Sequence, residues 1–351
     1  MDYSGDFLIK WAKKLGRSDE FIKALGSYVA KLSEMDFPVI FSPLHWAKMM
    51  NVSYDDLMTI LDNREAYYDH FRIKKKKADS FRYIQAPTGE LLKIQTWVKI
   101  NILDKLVFGD HLTSYQKGKS IVDNALLHVD QEIVVNFDLE SFFETITQDK
   151  IYGVFKIIGY NSSVAVELAR ACCLNVPQRI GKPYRDHPFA CLPQGSPTSP
   201  GLSNLSAAML DFRLLEYARS RGLNFSRYAD DLTFSGKVVN KPNQSTIGFI
   251  ASSEGFKLNA KKTYYAQSSC QQKVTGLNVN HKVSIPKKNR RKIDTHIHNC
   301  LRFGPFANMH RMGKFKMNYR EWLLGNIVYI QMVHPEQGRR MREKFNRINW
   351  F

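Results

Sequence analysis

The chain has 351 residues, 44% of them hydrophobic and 12% aromatic, enough for a sizeable core and two or three domains, which excludes a disordered protein. Lys and Arg outnumber Asp and Glu 51 to 33, and the formal charge of +18 points to a polyanionic partner, nucleic acid before an anionic membrane. Five cysteines, odd in number and without CxxC spacing, argue against a disulfide framework and fit reduced thiols in a cytoplasmic protein.

The opening "MDYSGDFLIKWAKKL" carries acids early and has no leader-like apolar core. Residues 1–70 read as helical. Leu8, Trp11, Ala12 and Leu15 recur at helical spacing, as do Phe21, Leu25, Tyr28 and Leu32. Within this region "VSYDDLMTIL" predicts a helix capped by Ser53, with Asp55 and Asp56 in the first turn complementing the helix dipole. These two acids need no catalytic explanation. The outline of "SPLHWAKMMNVSYDDLMTIL" is that of a helix-turn-helix, also a common packing unit.

The basic run "FRIKKKKADSFRYIQAPTGELLKIQ" at 71–95 predicts a β-hairpin around "PTG", with aromatics interleaved among Lys74 to Lys77 and Arg82. Asn124 and His128, four apart on an expected helix, share one side and suit either a structural hydrogen-bond pair or RNA reading. "IVVNFDLESFFETI" then opens as a β-branched strand leading to Asp138. Helix is expected at about 149–174, a Pro-, Arg- and Gly-rich loop at 175–193, and one long helix from about 200 to 221. "LNFSRYADDLTFSG" reads as strand, tight turn and strand, with Asp230 and Asp231 at the turn. From 285 onward fifteen Lys and Arg face four Asp and Glu, a surplus of eleven of the chain's eighteen, so the charge is concentrated. The apolar run "WLLGNIVYIQMV" at 322–333 is too short to span a bilayer and predicts a buried helix. "HIHNC" at 296–300 lacks a second ligand pair and is weak as a zinc site.

Three carboxylates drawn together at Asp138, Asp230 and Asp231 would not all stay ionised without a cation. Hard oxygen ligands select Mg²⁺ or Mn²⁺, and a pair of such ions supports in-line phosphoryl displacement, so nucleotidyl transfer is the natural reaction beside a basic lobe.

In order, "FDLESFF", "LPQGSPTSP", "YADD", "EGFKLNAKKT" and "VTGLNVN" resemble the successive palm motifs of reverse transcriptases, over roughly residues 70–285. "NALLH" at 124–128 and "VTG" at 274–276 resemble elements of bacterial retron reverse transcriptases in particular. The resemblance implies an α+β right-hand polymerase whose antiparallel palm sheet packs on helices. It implies fingers at 71–130 and 149–195, palm at 131–148 and 196–284, and a thumb at 285–351, preceded by the helical residues 1–70 as an N-terminal extension that matches the family least well. Asp138, Asp230 and Asp231 would be catalytic and, with the Leu139 backbone carbonyl, hold two Mg²⁺ ions. Arg82, Phe143, Gln194, Gly195 and Lys262 would meet the incoming dNTP, with Phe143 excluding a ribose 2′-hydroxyl, Lys261 as an alternative to Lys262 and Tyr228 beside the primer end. Asn124, His128, Lys287, Lys288, Arg290, Arg291 and Lys292 would contact RNA. Implied partners are the cognate noncoding RNA, its branched RNA–DNA product (msDNA), dNTPs and a defence effector protein, in the bacterial cytoplasm, with no membrane and with higher-order assembly left open. Another bacterial reverse transcriptase, of the group II intron kind, or a non-catalytic RNA-binding scaffold stand as alternatives.

Overall fold

The computed structural model describes residues 5–74, 81–175, 190–313 and 316–350. The N-terminal part is helical: α1 Gly5–Lys14, α2 Asp19–Glu34, α3 Pro43–Met49 and α4 Tyr54–Asp62. Ser53 caps α4 as expected, its Oγ accepting the Asp56 N–H at 3.0 Å, and Leu57, Ile60 and Leu61 form the buried face. Leu32, Ile40, Trp46 and Leu57 join the same core as the central sheet, so this region buttresses the rest. Buried Arg64 ties it further, donating to the Cys173 carbonyl and to Gln148.

Strands β1 Tyr68–Lys74 and β2 Phe81–Pro87 pair antiparallel, Tyr68 opposite Pro87 and Lys74 opposite Phe81. The hairpin is there, yet "PTG" is not its turn. Pro87 ends β2 and Thr88 begins α5 Gly89–Asn101, with the Thr88 N–H and hydroxyl both donating to the Tyr67 carbonyl. The same residues that favour a turn also favour a helix start, and strand pairing decided between them. The connection, with Lys75, Lys76 and Lys77, lies outside the described residues.

After α6 Ile121–Leu126 comes β3 Ile133–Asp138, then α7 Gln148–Ile158 and α8 Ser162–Cys172. The helix expected from 200 to 221 is two, α9 Ser199–Ser206 and α10 Ala208–Ser220, broken at Ala207. Periodicity misses the break because Leu202, Leu210 and Leu214 stay buried across it. β4 Asn224–Tyr228 and β5 Asp231–Gly236 follow, then α11 Gln244–Ser253 and β6 Tyr264–Gln267. The central sheet is antiparallel in the order β4–β5–β3–β6. Phe137 and Phe234 meet edge to face at 5.9 Å on its helix-packed side.

A second core gathers the short hairpin β7 Lys273–Val274 and β8 Leu277–Asn278 with α12 Lys287–Phe303, α13 Pro305–Arg311, α14 Tyr319–Val333 and α15 Pro335–Asn346. Val274, Leu277 and Val279 belong to this core, as do Ala125 of α6 and Val134 of β3. In α14, Leu323, Ile327 and Ile330 are buried while Val328 and Met332 reach solvent, an amphipathic rather than wholly buried helix. Among the described residues no helix is long and apolar enough to cross a membrane.

Candidate active site

The sheet brings the predicted acids together by register. Asp138, last residue of β3, lies opposite Asp231, first residue of β5. The Leu139 N–H donates to the Asp230 carbonyl at 2.9 Å, and the Asp138 carbonyl accepts from the Asn259 N–H at 2.8 Å. The chain leaving β3 is thereby fastened to the β4–β5 turn on one side and to the Lys257–Lys262 segment on the other.

A cavity of about 460 Å³ opens over this junction, lined by Asp138, Leu139, Phe143, Asp230, Arg82, Gln194 and Lys262 among others. Seven of the positions singled out from sequence, drawn from five separate segments, therefore face one space. Arg82 projects from β2 with its side chain exposed. Phe143 is half-buried and meets core Phe142 edge to face at 5.6 Å. Gln194 is held from both sides, its N–H donating to Gln85 Oε1 at 3.1 Å and its carbonyl accepting the Gln85 N–H at 2.8 Å. Gly195 has φ +133°, and a Cβ there would stand 2.8 Å from Ile84 Cγ2 and 2.9 Å from the Gln85 carbonyl oxygen. The glycine is thus required by the protein's own β2 backbone.

The electrostatics are those of crowded acids. Burial raises the Asp230 carboxyl, and the charge of Asp138 raises it further against the opposing pull of Lys262 and Arg82. The surrounding protein and then the charges of Asp230 and Asp138 push Asp231 up to about 7, with Lys262 opposing. Asp231 reaches solvent and does not line the cavity, so repulsion is the cause that survives hydration. Lys262 Nζ sits between both oxygens of Asp138, at 2.7 and 2.8 Å, where it supplies the positive charge that the acids call for. Among the described residues no three carboxylates, thiols or imidazoles are set around a single point as the side chains stand. The donor set nonetheless fits a divalent cation that takes a few protein oxygens and completes its shell from substrate phosphates.

The RNA-contact expectations divide. Asn124 and His128 are fully buried: Asn124 Oδ1 accepts from Thr113 Oγ1 at 3.0 Å, and the His128 ring lies between Ser235 and Ser226, each hydroxyl at 2.7 Å. Helix α6 ends before His128, neither side chain has surface to offer an RNA, and each bonds other residues rather than its expected partner. Lys287, Lys288, Arg291 and Lys292 are exposed on the first two turns of α12. Cations there oppose the helix dipole, a local cost that a polyanion would remove. Arg290 is different: it is half-buried and joins α12 to α15 through Gln337 at 2.7 Å and the Ile285 carbonyl at 3.1 Å. His296 and Cys300 are buried in a hydrogen-bonded cluster with Tyr319 and Asn308, and His298 is exposed, so "HIHNC" assembles no metal set.

Sequence reasoning passed over Tyr115 and the pair Asp211–Arg227. Tyr115 lines the cavity over the acids and also a neighbouring one of about 670 Å³. Arg227 and Asp211 are buried and bonded twice, at 2.6 and 2.7 Å. Their signal was an arginine standing in the strand text "NFSRY", three residues before the first of the two acids.

Residues 73–279 match the family described as "Reverse transcriptase (RNA-dependent DNA polymerase)". The chain is 35% identical over 275 residues to the Retron Ec86 reverse transcriptase of Escherichia coli, covering 77% of this chain and 82% of that one. It is 30% identical to the Retron Mx162 reverse transcriptase of Myxococcus xanthus, covering 84% of this chain and 64% of that longer protein. Against the Retron Ec83 reverse transcriptase of Escherichia coli identity is 24%, with 84% and 92% covered. With five motifs in order, an antiparallel sheet presenting paired acids and relatives of this closeness, the chain belongs to the reverse transcriptases, RNA-directed DNA polymerases with the right-hand α+β fold, and among them to the bacterial retron kind.

Proposed function

We propose that this polymerase copies part of its own noncoding RNA into a branched RNA–DNA molecule, msDNA, beginning from an internal guanosine 2′-hydroxyl and continuing as ordinary 3′-end extension with dNTPs. The product would serve antiphage defence in the bacterial cytoplasm together with an effector protein. The observation that carries the catalytic part is the meeting of Asp138 and the Asp230–Asp231 turn at a cavity shared with Arg82, Phe143 and Gln194. Similarity to retron reverse transcriptases supports the cognate RNA and the branched product.

In this reading Asp138 and Asp230, with Asp231 and the Leu139 carbonyl, hold Mg²⁺, which when bound would activate the attacking hydroxyl and steady the leaving oxygen. Lys262 holds Asp138 in place before the cation arrives and can turn toward phosphate afterwards. Arg82 would meet the triphosphate, Gln194, with Gly195 packed behind it against β2, would lie near the incoming nucleotide, and Phe143 would exclude a ribose 2′-hydroxyl. Residues 71–130 and 149–195 would form the fingers, 131–148 and 196–284 the palm, and 285–351 the thumb. On the thumb, Lys287, Lys288, Arg291 and Lys292 would follow an RNA backbone.

The test is cDNA synthesis with Mg²⁺, dNTPs and the RNA transcribed from DNA flanking the gene. Asp230→Ala with Asp231→Ala should abolish synthesis while RNA still binds. Synthesis at the wild-type rate would refute the assignment of these acids, and an active enzyme that makes only unbranched DNA would refute the 2′-priming.

A further inference from the structure

Ala229, the residue between Tyr228 and the two acids, has φ +56°, a left-handed conformation that side-chain-bearing residues rarely adopt. Its N–H is held by a side chain from outside the hairpin and its carbonyl by the buried Arg227 of β4. Its N–H donates to Ser114 Oγ at 2.9 Å, and its carbonyl accepts from Arg227 Nη1 at 3.1 Å. The same Nη1 also donates to Asn204 Oδ1 at 3.3 Å, and Asn204 Nδ2 donates to the Ser114 carbonyl at 3.0 Å, which closes a ring. Asp211 fixes the plane of the guanidinium through Nε and Nη2. Arg227, Asn204 and Ser114 are wholly buried, and Asp211 is 4% exposed. The arginine is itself anchored, its N–H donating to the His111 carbonyl at 2.8 Å and its carbonyl accepting from the Thr113 N–H at 3.3 Å.

A fold that needed only a tight turn could place glycine at 229. This one keeps alanine and holds it from three elements: the 111–114 segment, α9 through Asn204, and α10 through Asp211. A buried ion pair is weak evidence for added stability and better evidence for a fixed geometry. We propose that Arg227 and Ser114 are positioning residues that hold Ala229 left-handed and so set the direction in which Asp230 and Asp231 present their carboxylates to the metal. Asp211 and Asn204 act through Arg227. The inference rests on the proposed metal-holding role of those two acids and adds to it the framework that aims them.

The test compares Arg227→Lys and Ser114→Ala, alone and combined with Ala229→Gly. Lysine cannot serve Asp211 and the Ala229 carbonyl at once, and Ser114→Ala removes only the acceptor for the Ala229 N–H. With folding and RNA affinity verified, we expect kcat in primer extension to fall about 10- to 100-fold while the dNTP KM stays within about twofold. Mn²⁺ binding without substrate, followed by calorimetry, should weaken about fivefold or more, and amides of the 226–231 turn should exchange faster. Glycine at 229 takes the left-handed conformation unaided, so each double variant should recover about fivefold or more of the lost kcat. Wild-type Mn²⁺ affinity and exchange in folded variants, or a loss that glycine does not relieve, overturns the proposal. So does failure of both single variants to fold, which would make the ring a support of the fold alone. Asp230→Asn measured alongside separates the two levels, because undiminished Mn²⁺ binding and synthesis there would refute the metal-holding reading whatever the Arg227 variants show.

Discussion

His128 offers a prediction in which one buried ring sets a measurable acid sensitivity. Its two nitrogens lie 2.7 Å from the hydroxyls of Ser235 and Ser226, and burial pushes its pKa down to about 3. In the unfolded chain the same imidazole titrates near about 6.5. The sign follows from linkage: between these values the unfolded state binds a proton that the folded state refuses, so stability falls as pH falls below about 6.5 and is flat above it. At pH 5 the unfolded chain gains RT ln(1 + 10^1.5), about 2 kcal/mol, against almost nothing at about pH 7.5. His45, His111 and His334 are also pushed down by burial, so the wild-type profile alone sums several groups. The difference between wild type and His128→Gln cancels them. Urea unfolding followed by tryptophan fluorescence at about pH 7.5, 6 and 5 should find wild type more stable at neutral pH, with an advantage shrinking by about 2 kcal/mol at about pH 5. A constant offset across that range would refute the claim that His128 is held neutral.

Phe143→Ala should let ribonucleotides in, lowering discrimination between dNTPs and NTPs by about tenfold or more in single-nucleotide extension, a shift of about 1.4 kcal/mol. Unchanged discrimination would remove the gate. Lys262→Met takes away the ammonium on Asp138 and should tighten divalent-cation binding in the free protein severalfold by calorimetry; weaker binding would show that the lysine shapes the site instead. Gly195→Ala drives a methyl to within 2.8 Å of Ile84 and 2.9 Å of the Gln85 carbonyl oxygen. It should cost about 1–3 kcal/mol of stability, read as a lower denaturation midpoint. Neutralising Lys287, Lys288, Arg291 and Lys292 together should reduce the slope of log affinity for RNA against log salt by about 3. An unaltered slope would exclude α12 from the RNA path.

Much of the fold was legible because its elements carry local signals. Ser53, Asp55 and Asp56 with Leu57, Ile60 and Leu61 specify α4 at the level of caps and periodicity, and the structure contains that helix. "IVVNFD" and "FSRYADDLTF" are legible as strands for the same local reason, and their register then brings Asp138 opposite Asp231. Where two local signals competed, sequence was insufficient. "PTG" suits a hairpin turn and a helix start equally, and only the pairing of Tyr68 with Pro87 selects the helix start. Asn124 and His128 suit RNA reading and a structural role equally in the sequence, because the serines of β4 and β5 that enclose the imidazole are remote from them along the chain.

The stretches Tyr54-Asp55-Asp56 and Tyr228-Ala229-Asp230-Asp231 show how a structural pair of acids differs from one proposed as catalytic. At 54–56 the backbone is an ordinary first helical turn, satisfied by one serine, and the acids face solvent beside a helix dipole. At 228–231 an alanine stands left-handed between tyrosine and acids; burial and the charge of Asp138 work against ionisation of Asp230, and the charges of Asp230 and Asp138 against that of Asp231. Such an arrangement is costly by every local measure: a rare backbone conformation, crowded charges and a desolvated arginine a residue away. Folds keep local conflicts of this kind where function requires them. The two sites use nearly the same letters, but only the second is held against its own preferences by a ring of buried side chains. That expense supports the proposed catalytic role of the Asp230–Asp231 turn, and it is why the proposal extends to Arg227, which is bonded to the Ala229 carbonyl beside them.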